Sequence, residues 1–189
     1  MSQQIVKFIP NILTFLRLIL IIPFLLFFIN KNYVGAFYIF IIAGFTDCLD
    51  GWIARYFSCK TRLGSLIDPL ADKLMVAVSF IALAVIHQLP WWLVSLVFMR
   101  DLTISLGVIA WYWLINRKLI FKPTLLSKIN TTLQLCLVVL CLFELAFSLS
   151  YNLLIQIVVG CTTITTSLTY INYVLTWSKK ACSTYNVAQ

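Results

Sequence analysis

Charge is what this 189-residue sequence has least of: Asp, Glu, Lys and Arg together make up 11%, about half the share found in soluble domains. So little polar material cannot cover a water-soluble globule of this size, and a disordered chain needs the opposite composition, so both are excluded. Acids are the scarcest group, six against 14 bases, for a formal net charge of +8. With 6 glycines and 5 prolines, a collagen-like repeat is also excluded. One histidine and six cysteines without a Cys-x-x-Cys pair offer zinc no ligands at workable spacing. Cys48, Cys59, Cys136, Cys141, Cys161 and Cys182 therefore read as small apolar side chains. No secretory signal peptide is evident, because Arg17 interrupts the first apolar run and no small-residue cleavage site follows.

Apolar length is what the chain does have. Hydrophobic residues make up 62% and aromatic ones 15%. A membrane span takes about 20 apolar residues, and six runs come close to or exceed that length: Ile12–Ile29, Val34–Phe57, Leu66–Ile86, Trp91–Ile115, Leu126–Leu149 and Leu153–Trp177. The expectation is an all-α integral membrane protein, a bundle of six transmembrane helices forming one domain over residues 1–189. Pro90 and Pro123 mark connections, His87 falls in a turn as an interfacial polar residue, and Trp91, Trp92, Trp111, Trp113 and Trp177 lie near span ends, where aromatic rings favour the headgroup zone. Residues 1–10, with Ile5, Phe8 and Ile9 around Lys7, read either as an interfacial amphipathic helix or as an unstructured tail.

The bases orient the bundle. Arg55, Lys60, Arg62 and Lys73 surround the second connection, Arg117, Lys118, Lys122 and Lys128 the fourth; Lys7 and Arg17 flank the start and Lys179 and Lys180 follow the last span. Outside the spans, only Lys31 falls on the other side. The positive-inside rule then places both termini in the cytoplasm. A basic excess so distributed points to anionic headgroups, with no nucleic acid as partner.

Four of the six acids, Asp47, Asp50, Asp68 and Asp72, fall within 26 consecutive residues at the cytoplasmic ends of the second and third spans. Asp47 and Asp50 are three apart, and Gly64, Asp68 and Asp72 follow at intervals of four, so each set shares one helix face. Pro69 is tolerated if it lies in the first turn of its helix. Four carboxylates at that depth repel one another and resist desolvation, so cations must sit among them. Arg55, Arg62 and Lys73 could supply salt bridges. Divalent ions account better for four acids on facing helices, since carboxylate oxygens suit Mg²⁺ or Mn²⁺ and such sites commonly share the ion with substrate phosphates. Small neighbours such as Gly51, Ala54 and Gly64 would leave room for a ligand to approach the backbone.

The run Asp47-x2-Asp50-Gly51-x2-Ala54-Arg55-x8-Gly64-x3-Asp68-x3-Asp72 resembles the complete signature of the CDP-alcohol phosphatidyltransferases, at all eight positions. The resemblance implies that Asp47, Asp50, Asp68 and Asp72 hold two ions, Mg²⁺ or Mn²⁺, with Asp72 also the general base. It implies that Gly51, Ala54, Arg55 and Gly64 line the CDP site. The implied reaction is transfer of a phosphatidyl group from CDP-diacylglycerol to an alcohol with release of CMP, a step of phospholipid biosynthesis. Homodimerisation is expected by resemblance alone.

For the acceptor, Pro10-Asn11-Ile-Leu-Thr14-x2-Arg17 is similar to the branch that makes phosphatidylglycerophosphate and cardiolipin. Lys122-Pro123-Thr124-Leu-Leu-Ser127-Lys128-Ile-Asn130-Thr131, Arg100-Asp101 and Tyr170-Ile-Asn-Tyr173 are similar to cardiolipin synthases of the CDP-alcohol type. Phosphatidylglycerophosphate synthases usually carry an Arg-Glu pair later in the fourth span, where this chain reads Gly107-Val-Ile-Ala-Trp111-Tyr-Trp113. Phosphatidylglycerol is thus the expected acceptor and glycerol 3-phosphate the alternative. Arg17, Arg100 and Lys128 are candidates for the acceptor phosphate. Arg100 with Asp101 also reads as an ion pair that shapes the bundle, and Arg17 and Lys128 as ordinary positive-inside residues. Glu144 stands isolated in the fifth span. Thr162, Thr163, Thr165, Thr166 and Thr169 read as hydrogen-bonding to their own backbone or to a neighbouring helix. The absence of an Arg/Ser-rich transit segment points to a bacterial inner membrane.

Other classes remain open on the residues alone. Membrane carboxylates often mark ion pathways, as in a divalent-ion or proton-coupled transporter, but here the four clustered acids lie near one surface. Intramembrane prenyltransferases also use Asp clusters with Mg²⁺ on a diphosphate, with more spans and other spacings. A noncatalytic bundle would leave the acid cluster unexplained.

Overall fold

Long apolar runs with few glycines and prolines favour uninterrupted helix, and helices are what form. The computed structural model describes residues 2–56, 64–115 and 125–187, with side chains over 15–47, 49, 73–104 and 125–174. Six α-helices follow one another: α1 Ser2–Ile29, α2 Tyr33–Tyr56, α3 Gly64–Val85, α4 Trp91–Ile115, α5 Leu125–Phe147 and α6 Asn152–Val187. No strand occurs among the described residues. The helices coincide with the six expected spans except at two ends and one proline. α1 begins at Ser2, so residues 2–10 are neither a separate element nor a tail but the first turns of that helix. α6 runs ten residues past Trp177, through Lys179 and Lys180. α3 begins at Gly64, which moves Pro69 out of the first turn into the second, where the missing N–H forgoes a backbone bond. Leu125–Phe147 and Asn152–Val174 are long and apolar enough to cross a membrane, and Phe15–Ile29, Tyr33–Asp47 and Lys73–Val85 are shorter apolar stretches.

Three helix ends are built alike without glycine. Lys31, His87 and Ser148 adopt positive φ, 58°, 62° and 52°, the first two lying two residues past the ends of α1 and α3 and the third directly after α5. The N–H of Asn32 bonds Phe27 O and that of Lys31 bonds Phe28 O; Gln88 and His87 repeat the pattern on Leu83 and Ala84, and Leu149 bonds Glu144 O. These six-to-one closures satisfy carbonyls that the helix leaves orphaned. They close each helix within a few residues, and His87 lies in a turn as expected. Asn32 then caps α2, its Oδ1 accepting the Gly35 N–H at 3.0 Å.

The chain divides into two units, Met1–Gln88 with Val138–Tyr151, and Leu89–Leu137 with Asn152–Gln189. In the first, α1 packs on α2 and α3. Phe24, Phe28, Ala36, Phe40, Ala43, Met75, Phe80 and Leu83 are buried there. Gly35 is needed for the close approach of α1, since a Cβ there would meet Phe27 Cδ1 at 2.8 Å. The second half of α5 belongs to this unit, with Phe37 of α2 edge-on to Phe143 and Phe147.

In the second unit α4 packs on α6, and its buried face is mixed. Leu93, Val97 and Arg100 recur along α4, Asn130, Gln134 and Leu137 along α5, and Thr162, Thr166, Thr169 and Tyr173 along α6, all buried. The threonines bond as the sequence suggests. Thr162, Thr163, Thr165 and Thr169 donate to the carbonyls four residues back, while Asn130 joins α5 to α6 through contacts of 2.9 and 2.8 Å to Thr165 and Thr166. Each hydroxyl carries one proton, so Thr165 cannot serve Cys161 O and the Asn130 oxygen together. An Asn130 amide turned to donate to both hydroxyls would satisfy more of the set.

The outer faces of these helices invert the soluble pattern. Phe15, Ile19, Ile22, Leu26 and Ile29 form an exposed apolar stripe along α1, and Leu153, Ile157, Ile164, Leu168 and Ile171 are exposed along α6, while Arg17, Arg100, Asn130 and Gln134 are buried.

Candidate functional site

The aspartate motif straddles the end of α2 and the start of α3, both in the first unit. Helical backbone runs through 47–55 and 64–72, so the expected helical register of both Asp pairs is present in the chain. Of the motif's side chains, Asp47 is the one described. Those of Asp50, Gly51, Ala54, Arg55, Gly64, Asp68 and Asp72 lie outside the described residues, as do the connections at 57–63 and 116–124.

Asp47 meets a partner that the pattern of charges does not name. Nη2 of Arg17, from α1, lies 2.8 Å from its Oδ1. The two ends of this pair are unlike: the arginine side chain is 2% exposed and the aspartate 44%. A guanidinium placed in the interior of an apolar helix needs a counter-charge, and the helix packed on α1 supplies it. The expected counter-ions were Arg55, Arg62 and Lys73. The signal for Arg17 was its isolation, a single charge within a run of Ile, Leu and Phe.

Nearly half exposed, Asp47 presents hard oxygen to anything that approaches the C-terminal end of α2. Its donor chemistry suits Mg²⁺ or Mn²⁺, and one carboxylate oxygen engaged by Arg17 leaves another. Asp47 is thus the one described side chain of the motif, and its chemistry is that of a ligand to a divalent ion. Among the described residues no three His, Cys, Asp or Glu come together, as expected when three of the four aspartates are outside that set.

In the second unit, Arg100 and Asp101 make the expected ion pair, Nη1 to Oδ1 at 2.6 Å. Nη2 donates to Ser127 Oγ on α5 at 2.7 Å, so one guanidinium ties α4 to α5. Arg100 is 4% exposed, and its Nε has no hydrogen-bond partner. Lys128, next to Ser127, is exposed. Gln134 was not singled out by the sequence; it continues the α5 face of Ser127 and Asn130 by one turn, and its Nε2 is also without a partner. Glu144 is partly buried near the end of α5, with Oε2 unpartnered.

Comparison with known proteins agrees with the motif. The chain is 31% identical over 182 residues to the cardiolipin synthase (CMP-forming) of Rattus norvegicus, an overlap of 87% of this chain and 60% of the rat protein. It is 31% identical over 170 residues to a probable phosphatidylglycerophosphate synthase of Mycobacterium tuberculosis, covering 87% and 78%. Over 86 residues it is 44% identical to a CDP-diacylglycerol–glycerol-3-phosphate 3-phosphatidyltransferase of Pseudomonas fluorescens, 44% of each chain. The chain thus spans about 60% of the length of the rat relative. Residues 7–178 match the family described as CDP-alcohol phosphatidyltransferase, and with the motif at 47–72 inside that match the chain belongs to this family.

Proposed function

We propose that the protein is a membrane enzyme of phospholipid biosynthesis that transfers a phosphatidyl group from CDP-diacylglycerol to an acceptor alcohol and releases CMP. One observation carries the reading: eight motif positions with four aspartates, at the end of one helix and the start of the next within a single unit. Exposed apolar stripes over buried charge support a bundle of six spans in lipid. The distribution of bases supports cytoplasmic termini and a cytoplasmic active site, in an inner membrane of bacterial type, with residues 1–189 acting as one domain.

Asp47, Asp50, Asp68 and Asp72 would hold two ions, Mg²⁺ or Mn²⁺. When bound, such ions supply charge neutralisation at the diphosphate and leaving phosphate oxygens. The remaining work falls to the chain. Gly51, Ala54 and Gly64 admit the CDP moiety close to the backbone and Arg55 offers it a charge-assisted donor. Asp72 accepts the proton of the acceptor hydroxyl as that oxygen attacks the phosphatidyl phosphorus. Arg100 and Lys128, with Arg17 as a third candidate, are the acceptor-phosphate contacts of this proposal. A site at the membrane boundary lets a water-soluble nucleotide and lipid tails meet.

Phosphatidylglycerol is the preferred acceptor, giving cardiolipin; the segment 122–131 and the likeness to the rat cardiolipin synthase support it. The second reading, glycerol 3-phosphate, is favoured by the Pseudomonas fluorescens relative, whose identity over the matched stretch is higher. The test is to incubate purified protein with labelled CDP-diacylglycerol and each alcohol in turn, with and without EDTA. Cardiolipin plus CMP from phosphatidylglycerol, stopped by EDTA and restored by Mn²⁺ or Mg²⁺, is the expected result. Divalent-ion flux in proteoliposomes without turnover of the CDP-lipid would instead mark a transporter.

A further inference from the structure

An acidic side chain that ligates an ion works well when it is held still before the ion arrives, and Asp47 is held. We propose that Arg17 is a positioning residue for the divalent-metal site: its buried guanidinium grips Oδ1 of Asp47 and thereby fixes the other carboxylate oxygen as a donor for the ion. The inference rests on the reading of Asp47 as a metal ligand.

The asymmetry of the pair carries it. Arg17 is 2% exposed and Asp47 44%, at 2.8 Å, so a buried guanidinium holds a carboxylate that itself keeps much of its surface exposed. Breaking one end of a buried charge pair is costly, so a guanidinium this enclosed holds its carboxylate firmly. Outer partners of this sort set the orientation of metal-bound carboxylates, and losing them typically weakens metal affinity about 10–100-fold. Arg17 comes from α1, outside the α2–α3 motif, so the site takes in a third helix of the same unit. The charge pattern alone offers Arg17 to the acceptor phosphate. Its pairing with Asp47 gives it the other role, because a lipid phosphate would have to compete with that carboxylate for the guanidinium.

The experiment is a double-variant cycle read by Mn²⁺ binding. Electron paramagnetic resonance of the detergent-solubilised full chain, with Mn²⁺ alone and no nucleotide or lipid substrate, is recorded for Arg17→Gln, Asp47→Asn and the two combined. Each single variant should weaken Mn²⁺ binding about tenfold or more, and, if Arg17 acts through that carboxylate, the combination should bind no worse than Asp47→Asn. Arg17→Lys, which keeps the charge without the planar fork, should fall in between, and it carries the same cycle if Arg17→Gln does not elute as folded protein. Additive losses, or Mn²⁺ affinity unchanged or tighter in the Arg17 variants while Asp47→Asn weakens it, would overturn the positioning role and leave the metal site standing. A selective rise in acceptor KM in Arg17→Lys with Mn²⁺ affinity intact would assign the residue to the phosphate instead. Unchanged affinity in Asp47→Asn would remove the ligand reading, and the inference with it.

Discussion

A carboxylate and its amide differ little in shape but completely in what they can do with a proton, so Asp72→Asn isolates chemistry from packing. If Asp72 is the base, turnover should fall by at least about a hundredfold, with the protein still inserted and eluting as folded. Unchanged turnover would remove it from that role. Arg100 calls for a subtler substitution, because truncating a buried pair costs about 3–5 kcal/mol and would confuse folding with binding. Arg100→Lys keeps the charge beside Asp101 but loses the fork that also reaches Ser127. If Arg100 grips the acceptor phosphate, acceptor KM should rise about tenfold or more while KM for the CDP-lipid holds. Equal changes in both would make the ion pair purely structural.

Between helices, small and polar contacts stand beside the aromatic ones, as expected of helices that pack in lipid. Gly35 lies in the first turn of α2, against the Phe27 ring. Gly35→Val should push the ring aside and lower stability by about 1–3 kcal/mol, seen as a lower Tm in detergent. A Tm within error of the parent would mean that α1 and α2 separate without cost. Asn130 is the reciprocal case, a polar side chain that links α5 to α6 through Thr165 and Thr166. Asn130→Ala should cost about 1 kcal/mol, within the range of interhelical hydrogen bonds in membranes, because both threonines can fall back on their own backbone carbonyls.

At the scale of the whole molecule the claim is topological. The turns closed by Lys31, His87 and Ser148 alternate along the chain with the two connections rich in lysine and arginine, and the positive-inside rule assigns the two sets to opposite surfaces. In a chain whose native cysteines are replaced, Ser150→Cys should react with an impermeant maleimide from outside intact cells. Ser178→Cys should react only after the membrane is opened. The reverse pattern would invert the protein and move the aspartates to the other face.

Six helices and the aspartate register were legible in the primary structure, because apolar length and intervals of three and four depend only on what a chain does to itself locally. The family was legible for the same reason, its signature being contained in 26 consecutive residues. Which charge answers which was not. Arg17 finds Asp47 thirty positions away, Arg100 reaches Ser127 across 27, and Asn130 meets Thr165 and Thr166 on another helix. Such partners depend on how helices rotate and pack, and rotation is set by small contacts such as Gly35 under Phe27. Composition therefore decided that charges inside this protein must be paired, and only the tertiary structure decided with whom.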